Sequence, residues 1–213
     1  MKIEKSELLR YLGYKGQEYG ERLEEEIDGA IRLCLNLITP RCVIRKYPFD
    51  SRQMKLVGAD IRLLGEDIRR HLSGCNEVYF LGATVGFGVE KRVAELMKTN
   101  PLVGVLLDSA SICAIESYCD DLCDELQANC DKMLTSRFSC GYGDFPLSQQ
   151  KDFVNALELS KRIGVFMNEE SFMLTPQKTV TAVIGVKENG EKSERACGSK
   201  CAACKNTDCV YRR

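Results

Sequence analysis

Tryptophan is absent from this 213-residue chain, histidine occurs once, and only five prolines interrupt it. The single imidazole, His71, excludes histidine-rich metal centres and would have to serve any Ser-His-Asp or Cys-His triad alone. An excess of one charge is missing as well. The formal net charge is −1 with 29% charged residues, which indicates neither a nucleic-acid binder nor an acidic tail. Uninterrupted apolar runs are short, such as Val103 to Leu107, so no membrane span is expected. No apolar signal core follows Met1, and the expected location is the cytoplasm. There is also no G-x-x-x-x-G-K-[ST] loop of the kind that cradles ATP phosphates.

What the chain has in quantity is cysteine. Twelve cysteines in a chain with a cytosolic character read as ligands or core residues rather than disulfides. Cys197, Cys201, Cys204 and Cys209 form a C-x3-C-x2-C-x4-C run flanked by Lys200, Lys205, Arg212 and Arg213. Thiols this close converge readily on one soft metal centre, either an iron–sulfur cluster or zinc, and nearby cations favour the thiolate. Cys113, Cys119, Cys123 and Cys130 lie instead along an apolar helical stripe, where core packing is the expectation.

Apolar spacing predicts helices over 4–39 with a break at Gly13, over 61–72, over 89–98, over 102–126 and over 152–163. Strands are predicted over 42–47 and 77–81, with a closing hairpin-like pair at 172–174 and 180–186. Helices interspersed with strands in this way indicate an α+β domain. The apolar pattern ends near Lys187, so the expected division is a domain over 1–187 and a polar linker with the Cys-rich tail over 188–213.

A second informative segment is Arg137-Phe-Ser-Cys-Gly141-Tyr142-Gly143-Asp144-Phe-Pro146. Glycines on both sides of a tyrosine let backbone approach a ligand closely. Arg137 offers a planar fork of donors suited to a carboxylate, and Tyr142 a ring face and a hydroxyl. The same residues would also make an ordinary glycine turn beside a solvated arginine.

This loop resembles the R-x-x-x-G-Y signature of the S-adenosylmethionine-binding reactivation domain of cobalamin-dependent methionine synthase. Asp108 to Glu116 resembles the helix preceding that loop, Phe80 to Gly86 a strand-to-helix turn, and Glu170 to Pro176 a downstream segment, all in the family's order. The resemblance implies an antiparallel sheet flanked by helices. It further implies that Arg137 binds the ligand's carboxylate and that Glu116 faces its cationic end. Ser139, Gly141 and Tyr142 would line the nucleoside and sulfonium. Where the family has prolines around its tyrosine, this chain has Cys140 and Gly143, followed by Asp144. An acidic contact to the ligand's amine has only regional candidates, Asp50 and Asp60.

By the same resemblance, the chain would support reductive methylation of the cob(II)alamin of a partner, a methionine synthase or another corrinoid protein. The Cys-rich tail would serve as an entry point for an electron donor. A non-catalytic module capping a corrinoid protein, with structural zinc in the tail, is the alternative. The family's cobalamin module ligates cobalt through D-x-H-x-x-G. Here Arg69 stands where the aspartate belongs, so His71 is read as a helix-end or solvated residue and the corrinoid as the partner's. The C-x3-C-x2-C triplet also matches radical S-adenosylmethionine enzymes, but those carry it early in a β/α barrel. A fourth cysteine at the end of this chain suits a closed site.

Overall fold

The computed structural model describes residues 1–187; the tail with Cys197, Cys201, Cys204 and Cys209 lies outside the described residues. Helices α1 (Lys5–Tyr11) and α2 (Glu21–Leu37) come first, followed by strands β1 (Arg41–Asp50) and β2 (Lys55–Leu56). Next come α3 (Glu66–His71), β3 (Cys75–Thr84), α4 (Phe87–Thr99) and the long α5 (Pro101–Ala128). After a loop come α6 (Gln150–Ala156), α7 (Leu159–Ile163), β4 (Phe166–Met167), β5 (Leu174–Thr175) and β6 (Thr179–Lys187).

Four strands form one antiparallel sheet in the order β2-β1-β3-β6, and β4 pairs with β5 separately. The architecture is α+β, with helices on both faces of the main sheet. Side chains alternate across a strand, and β3 uses both faces. Leu81 and Ala83 join Ile27, Ala30, Leu106 and Ala110 in one core, beneath α2 and α5. Val78 and Phe80 join Phe145, Phe153, Leu157 and Ile68 in the other. The Phe80 and Phe153 rings stack at 4.1 Å between centroids.

Helix α5 opens with Pro101 in its first turn and Asn100 capping Val103 N–H, which also ends α4. By length and mean hydropathy α5 could cross a membrane, although no uninterrupted apolar run in it is long. More than half of its most apolar window is buried inside the protein, the pattern of a core helix. Cys113, Cys119 and Cys123 within it, and Cys130 just past its end, are buried, as expected of core cysteines.

The helix expected over 61–72 forms only from Glu66. Gly65 adopts a φ of +118°, and the preceding residues bond back toward β2, Leu63 N–H to Met54 O at 2.8 Å. Leu63 is consequently buried while Leu64 is exposed. The expected helix over 152–163 is two short helices divided at Glu158, whose φ is +52°. The closing pair also differs from expectation. Residues 174–175 pair with 166–167, and β6 pairs with β3, leaving no hairpin between the two segments.

Candidate functional site

After α5 the chain runs antiparallel along β6 as an irregular fifth strand. Thr135 N–H donates to Gly185 O at 2.9 Å, and Phe138 and Val183 exchange backbone bonds at 3.0 and 2.9 Å. Strand alternation then decides where the next side chains go. Phe138 packs into the Phe145/Phe153 core, and Arg137 turns to the opposite face, onto α5. There its Nη2 donates to Glu116 Oε2 and forms an ion pair with Asp120 Oδ1, both at 2.9 Å. Glu116 and Asp120 are one turn apart on α5, so both reach the same guanidinium.

Arg137 is 5% exposed. Burial opposes its charge, but Cys119, Cys123, Glu116 and Asp120 more than compensate and hold the guanidinium protonated. The two carboxylate side chains keep 38% and 47% exposure, so the pair is buried on the cation's side and open on the anions' side.

Beyond Arg137 the loop folds tightly on itself. Gly141 N–H donates to Phe145 O at 2.8 Å and Phe145 N–H to Tyr142 O at 3.0 Å. Gly141 and Gly143 have φ of +87° and +55°, and a Cβ on Gly143 would collide with Asp67. Asp144 then clamps the loop to α3. Its carboxylate accepts the N–H groups of Glu66 and Asp67 at 2.6 and 2.9 Å, while Asp67 accepts Asp144 N–H at 3.3 Å. These backbone donors hold the Asp144 carboxyl below its usual range. A cap supplied from another segment thus orders the turn at the positions where the resembled family places prolines.

The five residues singled out for binding come together. Glu116, Arg137, Ser139, Gly141 and Tyr142 line one hollow of about 270 Å3. Cys140, Gln150 and Thr179 to Thr181 complete it, all missed in the sequence. Asp120, which pairs with Arg137 without lining the hollow, carried a readable signal in its spacing of four from Glu116. The Cys140 thiol is pushed up to about 12 by burial and the nearby Asp152 carboxylate, so it presents a neutral wall and no nucleophile. Tyr142 is 53% exposed, its ring edge-on to Phe138. Gln150, 8% exposed, accepts the Thr181 hydroxyl at 2.9 Å, and its NH2 group has no acceptor among the described residues.

Other expectations lie elsewhere. Asp50 and Asp60 line a different hollow around Lys55, and Asp60 pairs with that lysine at 3.2 Å. His71 ends α3, as a helix-end residue should, but its ring is largely buried rather than solvated. Its Nε2 faces Ser136 O at 2.8 Å and its ring tilts over Phe138, fixing the strand that carries Arg137. Among the described residues, no group of three His, Cys, Asp or Glu side chains could hold a metal.

The solved structures include a clear counterpart. The crystal structure of the MetH reactivation domain bound to AdoHcy superposes with a TM-score of 0.57, covering 86% of this chain and 70% of that one. The fold is that of the MetH reactivation domain. Identity over the match is 12%, so the likeness to that domain is one of architecture. No protein-family profile and no curated protein matches the sequence.

Proposed function

We propose that this chain binds S-adenosylmethionine in the hollow beside Arg137 and serves the reactivation of a cobalamin-carrying partner, either a methionine synthase or another corrinoid protein. The observation that carries this reading is the convergence of Glu116, Arg137, Ser139, Gly141 and Tyr142 on one hollow, within the fold of the MetH reactivation domain. The exposed Tyr142 ring offers a face for the nucleoside, and the Gln150 NH2 group offers a donor to a ligand acceptor. Glu116, which lines the hollow, supports this reading by offering negative charge to the ligand's cationic groups. When bound, S-adenosylmethionine supplies an electrophilic methyl group, whose transfer to a reduced corrinoid would make that reduction irreversible.

Cys197, Cys201, Cys204 and Cys209 fit an electron-entry cluster in this reading, and their spacing alone supports it. Structural zinc would instead make the chain a capping module with no redox part.

Titration calorimetry with S-adenosylmethionine tests the ligand, and Tyr142→Ala tests the site. That side chain makes no hydrogen bond among the described residues, so its loss should weaken binding by about tenfold, the scale of a lost base-stacking contact, and leave folding stability within about 0.5 kcal/mol. Arg137→Ala is the poorer probe, because it also strands two carboxylates that the fold has paired. Unchanged affinity in the Tyr142 variant would move the site elsewhere.

A further inference from the structure

Several polar side chains in the lining of the hollow are already engaged by the fold. The Arg137 guanidinium is paired with Glu116 and Asp120, and the Thr179 hydroxyl donates to Thr84 Oγ1 at 2.9 Å. The Thr181 hydroxyl donates to Gln150 Oε1, also at 2.9 Å. Gln150 opens α6 and Thr181 meets it from β6, and both are more than nine-tenths buried, at 8% and 3% exposure.

This contact sets the direction of the amide. A threonine hydroxyl has one proton, and Gln150 Oε1 is its acceptor among the described residues. Turning the amide over would bring NH2 against the hydroxyl and leave a buried proton without an acceptor, which costs free energy. The amide therefore keeps Oε1 on Thr181, and its NH2 group has no acceptor among the described residues. That nitrogen is not sealed in the interior, and the residue lines the hollow. Ser139 and Tyr142 bring hydroxyls to the same space, but a hydroxyl can turn to donate or to accept. The Gln150 NH2 group can only donate.

We infer that Gln150 is a specificity-determining residue of the hollow, whose NH2 group reads a hydrogen-bond acceptor on the ligand, and that Thr181 is the positioning residue that fixes its polarity. This rests on the S-adenosylmethionine reading above and deepens it. Such a ligand carries acceptors at two places, the ring nitrogens and ribose oxygens of its nucleoside and the carboxylate of its methionyl end. Its ammonium only donates, so the amide turns that group away from this part of the hollow.

Calorimetry on the full chain tests the inference with two probes, S-adenosylmethionine and 5′-methylthioadenosine, which keeps the nucleoside and lacks the carboxylate. Gln150→Met keeps the length of the side chain and removes both donors. It should weaken S-adenosylmethionine by about tenfold, the scale of one hydrogen bond to a buried group. An equal loss for 5′-methylthioadenosine places the acceptor on the nucleoside, and a loss confined to S-adenosylmethionine places it on the carboxylate. Thr181→Val keeps shape but frees the amide to turn, and should weaken binding several-fold, with Thr181→Ser restoring it. Added to Gln150→Met, Thr181→Val should weaken binding no further. Where Gln150→Met melts well below the wild type, the two Thr181 variants, which leave the glutamine in place, decide the matter. Wild-type affinity in Gln150→Met would overturn the inference while sparing the ligand assignment. The same loss from Thr181→Val in both backgrounds would overturn the positioning role. Binding of neither probe to the wild type would overturn the underlying reading, and this inference with it.

Discussion

His71 shows how one side chain can tie a site to pH without entering it. Its ring is largely buried, and burial lowers its affinity for the proton below the ordinary value of 6.5, while the Ser136 carbonyl opposes that shift. A histidine whose folded value is depressed favours the folded state above the unfolded value, and loses that contribution as pH falls through 6.5 toward the folded value. The neutral ring should therefore hold the Ser136–Phe138 segment firmly at pH 7.5 and less firmly at pH 5.5. Denaturant titrations at the two pH values should show the loss. His71→Gln, which keeps a donor but does not titrate, should lose less over the same interval. An identical loss in both proteins would assign the pH dependence to other groups.

At the level of elements, the site depends on a loop whose order comes from its neighbours. The glycine-rich turn has high backbone freedom when unfolded, and its conformation is secured by the reciprocal bonds between Asp144 and the start of α3. Asp144→Ala removes the acceptor for the Glu66 and Asp67 amides. Both should exchange hydrogen faster in the variant, and S-adenosylmethionine should bind more weakly, while the two cores stay intact. The depressed carboxyl of Asp144 means that the clamp persists through neutral and mildly acidic pH and is lost only as pH falls through a value below its usual range. Wild-type exchange rates at Glu66 and Asp67 in the variant would show that the glycine turn holds itself.

For the whole molecule, the described residues that fill the two cores on either face of the sheet run no later than Val186. Deleting residues 191–213 should thus leave the helical signal and the melting transition close to those of the full chain, because every described residue of both cores is retained. The same deletion should abolish bound metal. Metal analysis of the full chain after anaerobic purification should find iron, with a brown colour that dithionite bleaches. Stoichiometric zinc in a colourless protein would favour the capping module instead. Loss of the helical signal on truncation would show that the tail is part of the fold.

Much of this was legible in the residues themselves. The period of apolar side chains located α2, α4 and α5, because helix formation is governed by neighbours three and four apart. The order of short motifs singled out five residues that line one hollow. The spacing of four terminal cysteines marked them as a group. Periodicity failed at Ile61 and Leu64, where the apolar spacing looked helical but Ile61 O accepts Leu56 N–H of the β2 turn and Leu64 N–H donates to Gln149 Oε1. It could not pair β6 with β3 either, since strand partners far apart in the chain leave no local trace. The state of Arg137 was decided by tertiary structure alone. A guanidinium read along the chain is a free fork of donors. Placed by strand alternation against α5, and paired with a carboxylate 21 residues away, it is already satisfied.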